Sequence, residues 1–578
     1  MKTARHEVLE RVFNALWREG FSESKRWSGG LATVRLPGGA EVAAPAVRMA
    51  SLGVVRTGFP YYVRVPGGPV ESLSEPEHLV ELLPESDGMR KRWSDEVAQS
   101  AENMGFFLDR ALARRAELGS ARTLLEAAPA AARRLNIRPE EYLESWVLRG
   151  HPLHPGCKTR WGFDQDDLAR YSPELGRPVA LSFFALRRDH VQETLSRPDA
   201  PAAYPSCWTG VFDAELSGLG FEPSEYAILA AHPWQAERVL RRLFADELRS
   251  KVILPLSATF FAQPLTSVRT MAPLSACSPV HLKLPLAIQS TSAERTVSAP
   301  SVRNGPALSR WIAAALAAAP RVSEILELQE EVRGLHYRAP GSAESDPAAL
   351  EKARHLSLLA RVRPSERPGT SLVPAALLSE LSPLDGRPVA AELAERRGDA
   401  ALFFAECAEV TARALLPLLA RGLALEAHGQ NVLFRLDERA RPISWVLRDL
   451  GGVRFLASWM KDIHAFEPHP ATLIAAADEG ELVGKLHHAW LQGLLAPLAD
   501  ALVEGCHTND EALWEAARPR VRTAWNQASP GGARGALLER LLFAPRVRVK
   551  ALTRMRLNRR YATYDWCEID NPLSEARA

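Results

Sequence analysis

The sequence predicts an α+β fold in which antiparallel sheet and helices segregate along the chain. Three observations carry this reading. Short β-prone runs bounded by proline and polar residues, "PVALSFFAL", "VILPLSATFFAQPL" and "VHLKLPLAIQSTS", cluster between residues 146 and 335, the texture of an antiparallel sheet. Long Ala/Leu/Arg stretches such as "AECAEVTARALLPLLARGLALEAH" and "LVGKLHHAWLQGLLAPLADALVEG" dominate beyond residue 371 and read as helices. The first 145 residues mix both textures.

In chain order, "MKTARHEVLERVFNALWREGF" places Val8, Val12, Leu16 and Trp17 at helical spacing among charges, an amphipathic helix rather than the unbroken apolar run of a signal peptide. The stretch "LATVRLPGGAEVAAPAVRMASLGVVRTGFPYYVRV" carries β-branched residues punctuated by Gly and Pro, which predicts short hairpins. "SDEVAQSAENMGFFLDRALARRAELGSARTLLEAA" is helix-rich. Clustered Pro, Gly, Ser and charge over residues 338–374 mark a boundary or excursion. Three units are expected: 1–145, 146–370 and 371–578.

Composition bounds the function. At 578 residues with 46% hydrophobic and 24% charged residues, the chain is that of a soluble globular protein with room for several cores. Lys plus Arg (71) nearly balances Asp plus Glu (69), a formal net charge of +2, so no general attraction to nucleic acid or anionic lipid is expected and anion recognition must be local. The six cysteines, Cys157, Cys207, Cys277, Cys407, Cys506 and Cys567, contain no CxxC pair, which argues against a disulfide framework or zinc ribbon and fits a reducing cytoplasm. The longest small-apolar stretch, "WIAAALAAAP", falls far short of the roughly 20 residues a membrane span needs.

No GxxxxGK[ST], GxGxxG or GxSxG motif occurs, so any nucleotide is held by another grip. In "RGHPLHPGCKTRWGF", His151, His154 and Cys157 are spaced three apart, yet each His precedes a proline and is biased to extended backbone, where residues three apart point to opposite faces. That disfavours a chelate. A proline-stiffened loop presenting His154, Lys158 and Arg160 suits a polyanion, because little entropy is lost on ordering it; a stiff loop with solvated charges is the plain alternative. Farther on, Ser267, Arg269 and Thr270 precede Lys283, Thr291, Arg295 and Asn304. Cations set in apolar strands need an anionic partner, and hydroxyls beside guanidinium groups suit phosphate or carboxylate oxygens. In the third constellation, Glu426, His428 and Asn431 follow a helical run, and Asp449 stands before Gly-Gly after the strand-like "ISWVLR". Carboxylate and amide oxygens from separate elements suit Mg²⁺ bridging to nucleotide phosphates. The order Asn then Asp before glycine is similar to the metal ligands of protein kinases, although the other kinase motifs are missing. "RVRVKALTRMRL" reads as an amphipathic helix with a solvated basic face, and "AHPWQ" as the loop that starts a helix.

Taken together and in this order, "GHPLHPGCKTRWGF", "HPWQ", "TSVRT", "HLKLPLAIQSTSAERT", "NGP", "EAHGQN", "RDLGG" and "KALTRMRL" resemble the IucA/IucC family of NRPS-independent siderophore synthetases, from about residue 140 to the C-terminus. The resemblance implies a three-part, hand-like architecture: a mostly helical thumb, fingers built on antiparallel sheet, and a largely helical palm distantly like a kinase. It implies that ATP and Mg²⁺ adenylate a carboxylate, often of citrate, and that the acyl group passes to an amine or alcohol with release of AMP and pyrophosphate. It also implies a homodimer. Carried over residue by residue, it makes Ser267, Arg269, Thr270 and Lys283 the ATP contacts, helped by His154 and Lys158. Thr291, Arg295 and His428 become carboxylate-substrate contacts, joined by Lys550, and Glu426, Asn431 and Asp449 the Mg²⁺ side. Arg295, His428 and Lys283 are the expected catalytic residues, with His428 orienting substrate ahead of acting as a base. Three alternatives stay open: condensation of succinyl-hydroxamate monomers, an ADP-releasing phosphotransferase, and a siderophore-binding protein without turnover.

Overall fold

The computed structural model describes residues 3–575 apart from 85–87, 276–277, 292, 460–467, 470–471, 473 and 561–562; Cys277 thus lies outside the described residues. Helix Ala4–Arg18 forms where its periodicity placed it, with the Thr3 hydroxyl accepting from the His6 N–H at 3.2 Å. It buries Val8, Leu9, Val12, Phe13 and Leu16 in a core shared with a six-stranded antiparallel sheet. That sheet runs Ser24–Ser28, Leu31–Arg35, Glu41–Ala50, Tyr61–Arg64, Val70–Leu73, with Val54–Thr57 paired to the far half of Glu41–Ala50. The first unit combines helices with the short hairpins that the Gly- and Pro-punctuated stretch predicted. Alternation along Leu31–Arg35, which buries Ala32 and Val34, is the two-residue period of a strand with one buried face. The long helix Met89–Arg114 packs against Ala4–Arg18 and Pro76–Glu81 and adds Trp93, Val97 and Met104 to the same core.

The β-prone runs become a nine-stranded antiparallel sheet: Ile253–Pro255, Val179–Arg187, Phe260–Pro264, Thr270–Pro273, Val280–Lys283, Ser357–Val362, Glu331–Tyr337, Val191–Leu195, with Tyr226–Ala231 also on Val179–Arg187. A third region sets the helix Ala400–Ala420 against Asp510–Ala528 and against a four-stranded sheet of Leu326–Leu328, Pro442–Leu447, Val432–Leu436 and Ser371–Pro374. Packing crosses both expected boundaries. Leu326–Leu328 pairs in parallel with Trp445–Leu447, and one hydrophobic core joins Leu124, Leu143 and Trp146 to Phe404 and Trp445.

"RVRVKALTRMRL" differs from its helical reading. Arg546–Lys550 is a strand paired with Trp566–Asp570, and only Leu552–Leu557 is helical. Its period is two, with Val547 and Val549 buried and Arg546 and Arg548 exposed, so strand geometry separates the apolar and basic residues cleanly. "AHPWQ" does start a helix: His232 Nδ1 accepts from the Trp234 N–H at 3.2 Å.

Candidate active site

A cavity of about 320 Å³ opens between the nine-stranded sheet and the loops of the four-stranded one. Its sheet-side wall holds Ser267, Arg269, Thr270, Lys283, Arg295 and Arg361. Its other wall holds Glu426, His428, Gln430, Asn431, Arg448 and Asp449. Ser267 to Thr270 form the turn between two strands, closed by Leu265 N–H to Thr270 O (2.8 Å) and Thr270 N–H to Ser267 O (2.7 Å). Thr270 pairs directly with Lys283, and Arg361 with His281, so these four side chains share one face of the sheet.

The two walls meet through charge. Lys283 Nζ donates to both oxygens of Asp449, at 2.9 and 2.8 Å. Arg361 bonds Glu331 at 2.8 Å and lies 3.6 Å from Asp449. Burial would raise the Asp449 carboxyl, but Lys283, Arg361 and Arg269 outweigh it and hold the group well below the usual carboxylate range. Burial lowers Lys283, against the opposing pull of Asp449 and Glu331. Arg295 is short of counter-ions: burial first, then Arg269 and Arg160, press it down to about 9. Its Nη2 donates to the Thr291 hydroxyl at 2.6 Å, and Thr291 sits in left-handed backbone at φ 57°. Arg269 is likewise lowered by burial, and it donates to the Thr296 carbonyl. An anion entering here would relieve a crowded set of cations.

On the opposite wall, Asp449 (φ 67°) caps the short turn Leu450–Gly452. Glu426 is bonded by Lys485; burial would raise its carboxyl, yet Lys485, His428 and Lys550 hold it far below the ordinary range. A Cβ at Gly452 would collide with the Glu426 carboxylate, so glycine in "DLGG" is what lets the two loops approach. Asn431 Nδ2 donates to the Glu426 carbonyl at 3.1 Å. Burial lowers His428, which favours neutral imidazole. Two carboxylates and an amide on one wall are hard oxygen donors, the set that Mg²⁺ takes with one or two protein carboxylates and substrate phosphates.

The structure separates some expected contacts from this cavity. Lys158 Nζ is buried, bonded to Glu174 at 2.6 Å and to the Val147 carbonyl at 3.1 Å. Arg160 shares the same carboxylate at 3.2 Å. His154 packs edge-on against Trp93 at 5.5 Å between ring centroids, and burial lowers it to about 3. Neither His154 nor Lys158 lines the cavity: Glu174 turns the basic loop inward as a structural wall. Thr291 and Lys550 also stand outside the lining. Thr291 reaches it through Arg295, whereas Lys550 lies 4.0 Å over the Tyr564 ring, within electrostatic range of Glu426 and His428. Asn304 bonds Thr472 at 3.0 Å.

Sequence reasoning passed over Arg361, Arg448 and Lys485. Arg361 carried the signal that singled out Lys283, a cation in an apolar strand ("SLLARV"). Arg448 is clasped by Glu144, at 2.5 and 3.0 Å, and donates to the Gln430 carbonyl. Glu144 also accepts from the Thr266 N–H at 2.9 Å. One buried carboxylate therefore buckles the turn before Ser267 to the loop before Asp449.

Opposed walls of cations and oxygen donors define a protein that can hold a polyanion together with a divalent cation. The model of the IucA/IucC family matches residues 140–380, and that of the ferric iron reductase FhuF-like transporter matches 401–565. Staphyloferrin A synthase of Staphylococcus aureus is 27% identical over 446 residues, covering 75% of this chain and 73% of that one. The uncharacterized protein y4xN of Sinorhizobium fredii is 30% identical over 460 residues, covering 75% and 72%. The structure of ATP-bound aerobactin synthetase IucA from Klebsiella pneumoniae superposes with a TM-score of 0.76 at 20% identity, over 100% of both chains. The chain belongs to the IucA/IucC family, the siderophore synthetases, and is an enzyme of their bond-forming, ligase class. Among the described residues, no helix is long and apolar enough to cross a membrane.

Proposed function

We propose that this enzyme uses ATP and Mg²⁺ to adenylate a carboxylic acid, citrate or a citrate derivative first, and condenses it with an amine or alcohol, releasing AMP and pyrophosphate. The supporting observation is the Lys283–Asp449 pair, which spans the two walls of the cleft. A bound triphosphate can replace Asp449 as the partner of Lys283 and Arg361, freeing the Asp449 oxygens to face Mg²⁺ beside Glu426 and Asn431. Bound there, Mg²⁺ would neutralise phosphate charge.

The chemical need is plain. A carboxylate at neutral pH is an unreactive anion, and AMP is a far better leaving group than oxide. What the chain supplies is placement of two anions side by side and fixed cations where charge develops on the α-phosphate. In this reading Ser267, Arg269, Thr270, Lys283 and Arg361 hold phosphate oxygens. Arg295, oriented by Thr291, holds the substrate carboxylate with neutral His428, and Lys550 approaches from behind. His154 and Lys158 are left out of the phosphate set, because Glu174 already neutralises the basic loop.

The relatives bear on substrate choice. One is named D-ornithine--citrate ligase, 24% identical over 476 residues. The test is pyrophosphate release with citrate, succinate, α-ketoglutarate or a citryl monoamide, trapped as acyl-hydroxamate. Acid-dependent pyrophosphate and AMP are expected; ADP as the nucleotide product would overturn the reading.

A further inference from the structure

A second cavity, of about 470 Å³, lies outside the cleft, between the helix Leu124–Leu135, the segment 136–143 and the loop 363–372. Its volume is in the range of small-molecule pockets. Leu125, Ala128, Ile137, Leu143 and Leu372 give it an apolar wall. Charged groups complete the lining: Glu140, Glu366 and the arginines Arg138, Arg363, Arg367 and Arg435. Glu140 lines the cavity and is only 7% exposed.

A buried carboxylate is normally paired. The nearby cations are engaged elsewhere. Arg138 donates to the Pro364 carbonyl at 2.5 Å and pairs with Glu366 at 3.3 Å. Arg363 is held by Glu141 at 2.9 Å and by the Pro273 and Ser275 carbonyls. Arg435 bonds Glu327 and the Ser365 carbonyl, both at 2.8 Å, and Arg367 faces Glu327 at 3.7 Å. Among the described residues, Glu140 forms no ion pair. Glu140 is thus a lining carboxylate without an ion-pair partner of its own, and the apolar wall beside it can cover an apolar body.

We propose that this cavity is a second ligand site for a small organic cation, its ammonium head against Glu140 and its apolar body against Leu125, Ile137, Leu143 and Leu372. Among the described residues, Arg435 keeps a buried Nε without a hydrogen-bond acceptor, so an anion is the rival ligand, and a carboxylate probe separates the two. The short helix Pro139–Glu144 separates this site from the cleft: Glu140 faces outward, while Glu144 holds Arg448 on the cleft side. The proposal does not rest on the ligase reading.

Titration gives an independent readout. Burial first, then Glu141, raises Glu140 to about 7, against Arg138 and Arg363. A cation that binds only the carboxylate form binds about tenfold more tightly at pH 8 than at pH 6 and releases protons near pH 7. The experiment is calorimetry on the full chain with n-pentylammonium, n-pentanol and pentanoate as probes, at both pH values, and with Glu140→Gln. We expect binding of pentylammonium alone, the tenfold gain at pH 8, and loss of binding in Glu140→Gln. Pentylammonium binding that survives Glu140→Gln places the amine elsewhere and overturns the proposal. So does equal binding of the alcohol, preference for pentanoate, or no binding to the wild-type chain. Should Glu140→Gln fail to fold, the head-group and pH contrasts in the wild-type chain decide.

Discussion

The stretches 154–160 and 267–295 both set cations among apolar residues and prolines, and only the second opens onto the cleft. The difference lies in where the counter-ion sits. Lys158 and Arg160 find Glu174 at 16 and 14 residues along the chain, within one wall, and all three are buried. Lys283 finds Asp449 across the cleft, 166 residues away and on another element. A pair inside one wall is part of the scaffold. A pair that spans two walls can be parted by a ligand that offers each partner a replacement.

The largest effect expected from this contrast is at Asp449. Asp449→Asn leaves Lys283 facing the cavity without its carboxylate and Arg361 with Glu331 alone, and should lower acid-dependent pyrophosphate release by about 10²–10³-fold in kcat with little change in thermal melting. A few-fold loss would mean the bridging pair is structural after all.

Lys158→Met tests the other side. It leaves a buried carboxylate with Arg160 as its remaining ion pair, so unfolding free energy should fall by about 3 kcal/mol in a denaturant melt, while KM for ATP in the folded fraction stays within a few-fold. A large rise in KM with unchanged stability would return Lys158 to the nucleotide.

His154 gives a pH signature of the buried loop. Its folded value of about 3 lies below that of an unfolded histidine, near 6.5, so the unfolded chain takes up the proton first and stability falls as pH drops below about 6.5. Between pH 7 and pH 5 this amounts to about 2 kcal/mol, and the difference between wild-type and His154→Gln melts at the two pH values should show it. A parallel pair of curves would place His154 in contact with solvent or an anion.

The smallest effect is expected at the buckle. Glu144→Gln weakens the clasp on Arg448 and Thr266 without touching the cavity, and should raise KM for ATP by about tenfold, equivalent to roughly 1.4 kcal/mol, with a smaller change in kcat. A loss confined to kcat would assign Glu144 a role in the chemical step.

Much of this was legible beforehand, for identifiable reasons. Lys283 and Arg269 stood out because a charge in an apolar strand demands a partner, and the same logic applied to "SLLARV" would have found Arg361. Asp449 was marked by the Gly-Gly that follows it; the structure adds that Gly452 makes room for Glu426. "RVRVK" was misjudged because a helical period was read into a period of two. Lys485 was hidden, since a lysine on an apolar helix looks solvated until its helix packs beside Glu426.

By itself the sequence determined the α+β class, the placement of the main strands and helices, and the residue types able to meet phosphate, carboxylate and metal. Periodicity and charge in an apolar setting are local properties, written in neighbouring residues. Only the tertiary structure decided which cations face the cleft and which are spent on internal carboxylates, because that depends on contacts between residues far apart in the chain. It likewise decided that Glu140, unremarked in the sequence, is a buried carboxylate on the wall of a second cavity.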